Sequence, residues 1–226
     1  MTYSLIIPIY NEYRTLPVLL EKLYKLDKKI EIIIVDDGSN DETKNLLINN
    51  DDFKIISNKI NKGKGKAIKD GVALAKNQNI IIMDGDLEVD IEQIPFLIKK
   101  YEKNNADSLV GIRWEKYNKN IKNDLNKFGN YMINKFFNEL FKTNFNDVLC
   151  CVKIIDTNKF KSLKIKSNGF SVEAEIMAKL VLGGFKIKEV NIDYNRRTSR
   201  QGKKLKISDS WAIIWKIINI RFLYKN

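Results

Sequence analysis

The 226-residue sequence contains no histidine. That gap removes Ser-His-Asp and Cys-His triads, His-ligated zinc, haem held by a histidine, and any imidazole general base. Catalysis by this chain has to be built from carboxylates, amines, hydroxyls and a hard metal ion held by oxygens. Cysteine is nearly absent too. Cys150 and Cys151 are the only two, and they are adjacent. A disulfide between neighbours strains both the peptide bond and the S–S torsion, so free thiols in a reducing compartment are expected. The N-terminal residues lack a basic region followed by a long apolar stretch; no signal peptide is evident, and the chain is expected in the cytoplasm. Internal repeats, Pro- or Ser-rich linkers and low-complexity tails are missing as well. One domain is the economical reading, residues 1–206, followed by an apolar C-terminal segment, 207–226.

What is present is a composition 44% hydrophobic and 30% charged, enough for one large core. Short, continuous, β-branched runs at Ser4 to Ile9 and Glu31 to Val35 read as buried strands, as do Phe53 to Ser57 and Ile80 to Met83. Between them, Leu16, Leu19, Leu20, Leu23 and Leu26 share a helical face, and Asp41 to Ile48 and Lys64 to Lys76 read as further helices. The later half predicts helices at Ile91 to Lys103, Asp124 to Phe141 and Val172 to Leu182. Strands are expected there at Ser108 to Ile112, Val148 to Ile155 and Phe185 to Tyr194. Such alternation predicts an α/β fold with a mostly parallel sheet covered on both faces.

In open α/β sheets, ligands bind beyond the carboxyl ends of the strands. Three polar clusters fall there: residues 8–12, residues 36–39, and Asp84-Gly85-Asp86-Leu87-Glu88. The last places carboxylates at alternate positions, which in a strand point to one side, and its glycine lets a ligand approach the backbone. Three like charges so close repel unless a divalent cation sits among them, and Mg²⁺ or Mn²⁺ bridging a diphosphate meets that demand. A solvated acidic turn is the plain alternative. Asp37 can accept hydrogen bonds from a nucleobase or ribose, or serve with its neighbours to start a helix that Asp41 caps. Residues 61–66, Asn-Lys-Gly-Lys-Gly-Lys, open a helix whose N–H groups and lysines can hold phosphate, although they form neither a Walker P-loop nor a G-x-G-x-x-G turn.

Together these strings resemble one family. Ile-Pro-Ile-Tyr-Asn-Glu (7–12), Val-Asp-Asp-Gly-Ser (35–39), Asn-Lys-Gly-Lys-Gly (61–65) and Met-Asp-Gly-Asp-Leu (83–87) occur in the order and spacing of family 2 glycosyltransferases with the GT-A fold. Later segments, residues 147–153, 169–176 and 189–194, then Arg197-Thr198 and Gly202-Lys203-Lys204, resemble the branch containing dolichyl-phosphate mannosyltransferase and related polyprenyl-phosphate glycosyltransferases. The resemblance covers nearly the whole chain. It implies a Rossmann-like nucleotide-sugar fold in which Pro8, Tyr10, Glu12, Val35, Asp37, Asp84, Gly85, Arg113, Arg197 and Lys204 form the nucleotide-sugar site, Asp37 contacting the base. It also implies that Asp84, Asp86 and Glu88 hold Mg²⁺ or Mn²⁺, and that Asp86, Arg113 and Asp147 act in catalysis. Two positions depart from the pattern: Glu88 stands where the branch commonly has Gln, and the usual Gly-x-Ser-Lys is Gly202-Lys203-Lys204.

The implied reaction is inverting transfer of a sugar from a GDP- or UDP-sugar, with the metal, Arg113 and the late lysines stabilising the departing diphosphate. A phosphate acceptor is already anionic and needs no base. A hydroxyl acceptor needs one, for which Asp147 is the candidate; its other reading is a loop anchor. Charge favours phosphate and membrane. Nine Lys+Arg and one acidic residue lie between Arg196 and Asn226, so +8 of the total +12 sits in the last 31 residues. The apolar run Ile207 to Tyr224 follows, with Ile207, Trp211, Ile214, Trp215, Ile218 and Phe222 on one side. It is shorter than the roughly 20 apolar residues of a span, so it reads as an interfacial helix on the cytoplasmic membrane face, or as a core-packing one. The implied partners are thus a nucleotide-sugar donor, a polyprenyl phosphate and a membrane surface. A hydroxyl acceptor, a nucleotidyltransferase of similar layout and a nucleic-acid-binding module are rivals; no recognition motif or aromatic platform supports the last.

Overall fold

The computed structural model describes residues 1–48, 50, 52–113, 125–197 and 207–223. Seven strands form one sheet: β1 (Tyr3–Ile9), β2 (Ile30–Asp36), β3 (Lys54–Ser57), β4 (Asn79–Ile82), β5 (Ser108–Ile112), β6 (Lys153–Asp156) and β7 (Ile187–Asn191), in the order β3-β2-β1-β4-β6-β5-β7. Every described pairing is parallel except those of β6, which runs antiparallel to both β4 and β5. The helices are α1 (Leu16–Tyr24), α2 (Thr43–Leu47), α3 (Lys64–Leu74), α4 (Ile94–Asn104, entered through a 3₁₀ turn at Ile91–Gln93), α5 (Leu125–Phe141), α6 (Thr157–Ser162), α7 (Val172–Leu182) and α8 (Ile207–Leu223). This is the expected α/β layout. The central strands are apolar throughout because both sheet faces are covered, and β1 is buried at all seven positions.

Two apolar cores follow from the strand alternation. Leu5, Ile7, Ile34 and Ile81 face one way, towards α1, α4, α5 and α8. Ile6, Ile33, Val35, Ile80 and Ile82 face the other, towards α3 and α7. Strand β6 is shorter than the expected Val148 to Ile155, since residues 148–152 form the turn that enters it. Helix α6 falls inside a stretch with no predicted helix; Asp156 caps it, accepting from the N–H groups of Asn158 and Lys159.

Helix α8 differs most from expectation. The residues that bury it are Ile213, Ile217 and Ile220, at four- and three-residue spacing, and they pack with α5 and α7. Trp211, Trp215, Phe222 and Leu223 are the exposed side, each at least 67% accessible. The helix therefore has two apolar faces, and the run read as its single apolar face is largely the outward one. Among the described residues no helix is long and apolar enough to cross a membrane. Truncation should separate the faces: Ile217→Ala is expected to cost about 2–5 kcal/mol in denaturant unfolding, and Trp215→Ala no more than about 0.5 kcal/mol. Equal costs would contradict this packing.

Candidate active site

The carboxyl ends of β1, β2 and β4 open onto a cavity of about 590 Å³. Pro8, Tyr10, Glu12, Asp37, Asp84, Gly85, Asp86, Glu88, Arg113 and Arg197, all anticipated from the sequence, line it. Three anticipated residues stand apart. Val35 is fully buried and faces α3, its side chain part of the second core rather than the cavity wall. Asp147 is 2% exposed and lies behind the wall. Lys204, with its neighbours 198–206, lies outside the described residues.

The loops after β1 and β2 hold each other. Asn11 N–H donates to Ser39 Oγ at 2.8 Å, and Glu12 N–H to Thr43 Oγ1 at 2.8 Å. Asp37 reaches the cavity, but its carboxylate accepts from Asn58 Nδ2 at 3.2 Å, Lys62 N at 3.0 Å and Gly63 N at 2.6 Å. It therefore fixes the turn into α3. Gly63 has φ 94°, and a Cβ there would stand 2.5 Å from the Asn168 carbonyl oxygen, so the turn requires glycine.

The segment 84–88 corrects the alternation argument. Strand β4 ends at Ile82 and the chain turns, with Leu87 at φ 60°. The three carboxylates consequently take different partners, and among the described residues no group of three His, Cys, Asp or Glu is placed to hold a metal ion. Asp84 is engaged by Lys64 Nζ, 2.7 Å from Oδ1 and 2.8 Å from Oδ2. Glu88 accepts from Tyr194 OH at 2.7 Å and from Arg197 N at 2.8 Å. Asp86 stays between them, accepting from Glu88 N at 3.0 Å. Burial, then the charges of Asp84 and Glu88, push its carboxyl up to about 7. Gly85 has a different reason from ligand approach: a Cβ would strike Ile9 Cγ2 and lie 3.0 Å from Ile7 Cγ2, so the core needs its smallness.

The arginines are held as rigidly. Arg113 makes a bidentate pair with Asp147, Nε–Oδ2 2.8 Å and Nη2–Oδ1 2.9 Å, and its backbone N–H also donates to Oδ2 at 3.2 Å. Burial opposes its charge, yet Asp147 outweighs burial and raises the guanidinium well above its ordinary value. The same guanidinium lies 5.6 Å from the Tyr194 ring centre. This is the anchoring geometry for Asp147, not that of a base facing the cavity. Arg197 pairs with Glu12, Nη1–Oε1 3.0 Å and Nη2–Oε2 2.8 Å. Lys64, from the segment read as able to hold phosphate, also lines the cavity, as do Cys151, Glu173, Tyr194, Lys127 and Ile213, for which the sequence suggested no place in it. The expected free thiols are present, both buried. The Cys150 hydrogen bond, burial and Asp84 raise the Cys151 thiol, so it stays protonated.

The model of the family described as "Glycosyl transferase family 2" matches residues 4–164. The chain belongs to glycosyl transferase family 2. This family 2 glycosyltransferase is 26% identical to dodecaprenyl-phosphate galacturonate synthase of Rhizobium johnstonii, covering 98% of this chain and 67% of that one. It is 28% identical to dolichyl-phosphate beta-glucosyltransferase of Dictyostelium discoideum, covering 98% and 74%. In structure it is similar to Mycobacterium tuberculosis glucosyl-3-phosphoglycerate synthase in complex with Mn²⁺, UDP and glucosyl-3-phosphoglycerate, with a TM-score of 0.76 at 15% identity, over 100% of this chain and 81% of that one. The last likeness establishes the GT-A fold.

A carboxyl whose folded value is raised binds a proton that the unfolded chain has already lost, so stability falls as pH rises between the two values. For Asp86 that window runs from about 4, the ordinary carboxyl value, to about 7. Without divalent cations, melting should shift downward from pH 5 to pH 8, and Asp86→Asn should flatten that shift. A variant as steep as the native protein would contradict the assignment.

Proposed function

We propose that this glycosyltransferase moves a sugar, with inversion, from a nucleoside-diphosphate sugar to a polyprenyl phosphate at a membrane surface. One observation supports the lipid acceptor above others. Helix α8 contributes Ile213 to the cavity wall and exposes Trp211, Trp215, Phe222 and Leu223 on its outer side. An aromatic outer face on the helix that borders the site suits a lipid surface. Lys216, 3.9 Å from Glu175, adds a cation beside it. The two curated relatives are named for dodecaprenyl and dolichyl phosphate, which agrees with the same acceptor class.

The carboxylates fit a hard divalent cation. Mg²⁺ or Mn²⁺ takes one or two protein carboxylates and completes its shell with phosphate and water, so the engagement of Glu88 by Tyr194 and Arg197 is no obstacle. Asp86 and Asp84 are the residues that would hold it; Asp86, raised by burial and its acidic neighbours, is relieved by a cation. The ion, when bound, neutralises the leaving diphosphate. The chain's own part is positional. Asp37 fixes the turn into α3, Asp147 aims Arg113, and Glu12 aims Arg197, placing two cations on the wall where negative charge develops. Asp147, spent on Arg113, agrees with an acceptor that needs no base.

Purified protein with Mn²⁺, GDP- and UDP-sugars, and undecaprenyl or dolichyl phosphate is expected to yield lipid-linked sugar. No such product from any donor, or transfer only to hydroxyl acceptors, would overturn the acceptor assignment. Trp211→Ala/Trp215→Ala is expected to abolish flotation with phosphatidylglycerol vesicles while melting stays unchanged; undiminished flotation would remove α8 from the membrane contact.

A further inference from the structure

A second ionic element meets the acidic turn from behind. Lys64, the first residue of α3, projects its ammonium between two carboxylates: Asp84, at 2.7 and 2.8 Å, and Glu173 Oε1, at 2.9 Å. Glu173 lies in the first turn of α7, and its other oxygen is engaged by Lys153 of β6, whose side chain is fully buried. Burial works against the Glu173 charge, yet Lys153 and Lys64 outweigh it and hold the carboxyl below its usual range. Lys153, Glu173, Lys64 and Asp84 thus alternate in sign, and the set is neutral. Its middle members, Glu173 and Lys64, stand on α7 and α3, and its inner end, Lys153, on β6. Its outer member, Asp84, lines the cavity beside Asp86.

A buried ion pair is costly to break on one side only, because the remaining charge is left without a partner. Lys64 avoids that cost, since it has two carboxylates and can keep Glu173 when it loses Asp84. An ammonium and a divalent cation cannot both sit on the oxygens of Asp84 without strong like-charge repulsion. We propose that Lys64 is a resident counter-ion of Asp84 that a divalent cation must displace, and that Glu173 is the parking partner that receives it. Lys64 is therefore a positioning residue: it neutralises the acidic turn in the free protein and sets how tightly that turn takes a cation. The inference rests on the metal part of the function proposed above and is independent of the sugar, the base and the acceptor.

Substituting Lys64 and substituting Glu173 should change Mn²⁺ binding in opposite directions. Lys64→Met removes the competing charge, so Mn²⁺ alone, titrated into the nucleotide-free protein and followed by loss of the free-ion electron paramagnetic resonance signal, is expected to bind about tenfold tighter or better. Glu173→Gln removes the parking partner, leaves Lys64 committed to Asp84, and is expected to weaken Mn²⁺ several-fold. A purely structural role would weaken both variants together. Should Lys64→Met melt too low to titrate, its melting temperature is read with and without Mn²⁺, and a larger Mn²⁺-induced rise than in the native protein is expected. Unchanged or weaker Mn²⁺ binding, or an equal rise, overturns the counter-ion. Lipid-linked sugar formed by a protein whose Lys64→Met variant binds Mn²⁺ no tighter would refute this inference and leave the function standing. Tighter Mn²⁺ binding without lipid product would do the reverse.

Discussion

The site is organised by the need to neutralise carboxylates gathered at one sheet edge. Glu12, Asp37, Asp84, Asp86 and Glu88 all arrive at the carboxyl ends of parallel strands, where backbone geometry leaves them close together. The fold answers each in a different way. Arg197 takes Glu12, backbone N–H groups take Asp37, Lys64 takes Asp84, and Tyr194 with the Arg197 backbone takes Glu88. Asp86, between two acidic neighbours, is left with a raised carboxyl. The late segment 194–197, the turn before α3 and the start of α7 are thereby tied to one cluster by charge.

Much of this was legible in the sequence. Strand β5 and helix α7 match their predicted limits, because Ser108–Ile112 and Val172–Leu182 are bounded by residues that break the pattern. Ten of the anticipated site residues line one cavity, since ends of parallel strands meet on one edge whatever the loops do. What was not legible depends on partners far apart in the chain. Arg197 and Glu12 are 185 positions apart, and Arg113 and Asp147 are 34 apart, with no periodicity to connect them. The reversed direction of β6 is equally hidden, because a short buried strand reads alike either way. Period two failed at residues 84–88 because the strand stops at Ile82.

Helix α8 shows why an apolar run alone does not say which face is covered. Isoleucines at 213, 217 and 220 satisfy the core, and the aromatic residues around them are surplus to it. Carrying Ile213 into the cavity wall and Trp211 outside, the same helix gives the active site a hydrophobic exterior. Basic residues are concentrated in the sequence just before it, a composition that suits the anionic acceptor proposed above. Core packing and the proposed surface attachment therefore draw on different faces of one element.

The proposed function makes the acidic turn a divalent-cation and diphosphate site built around Asp86. Anomalous diffraction from crystals grown with Mn²⁺ and a nucleoside diphosphate tests it most directly. A strong manganese peak is expected within about 2.2 Å of an Asp86 oxygen and of a diphosphate oxygen. A diphosphate bound in the cavity with no manganese peak at Asp86, or manganese bound only elsewhere, would contradict it.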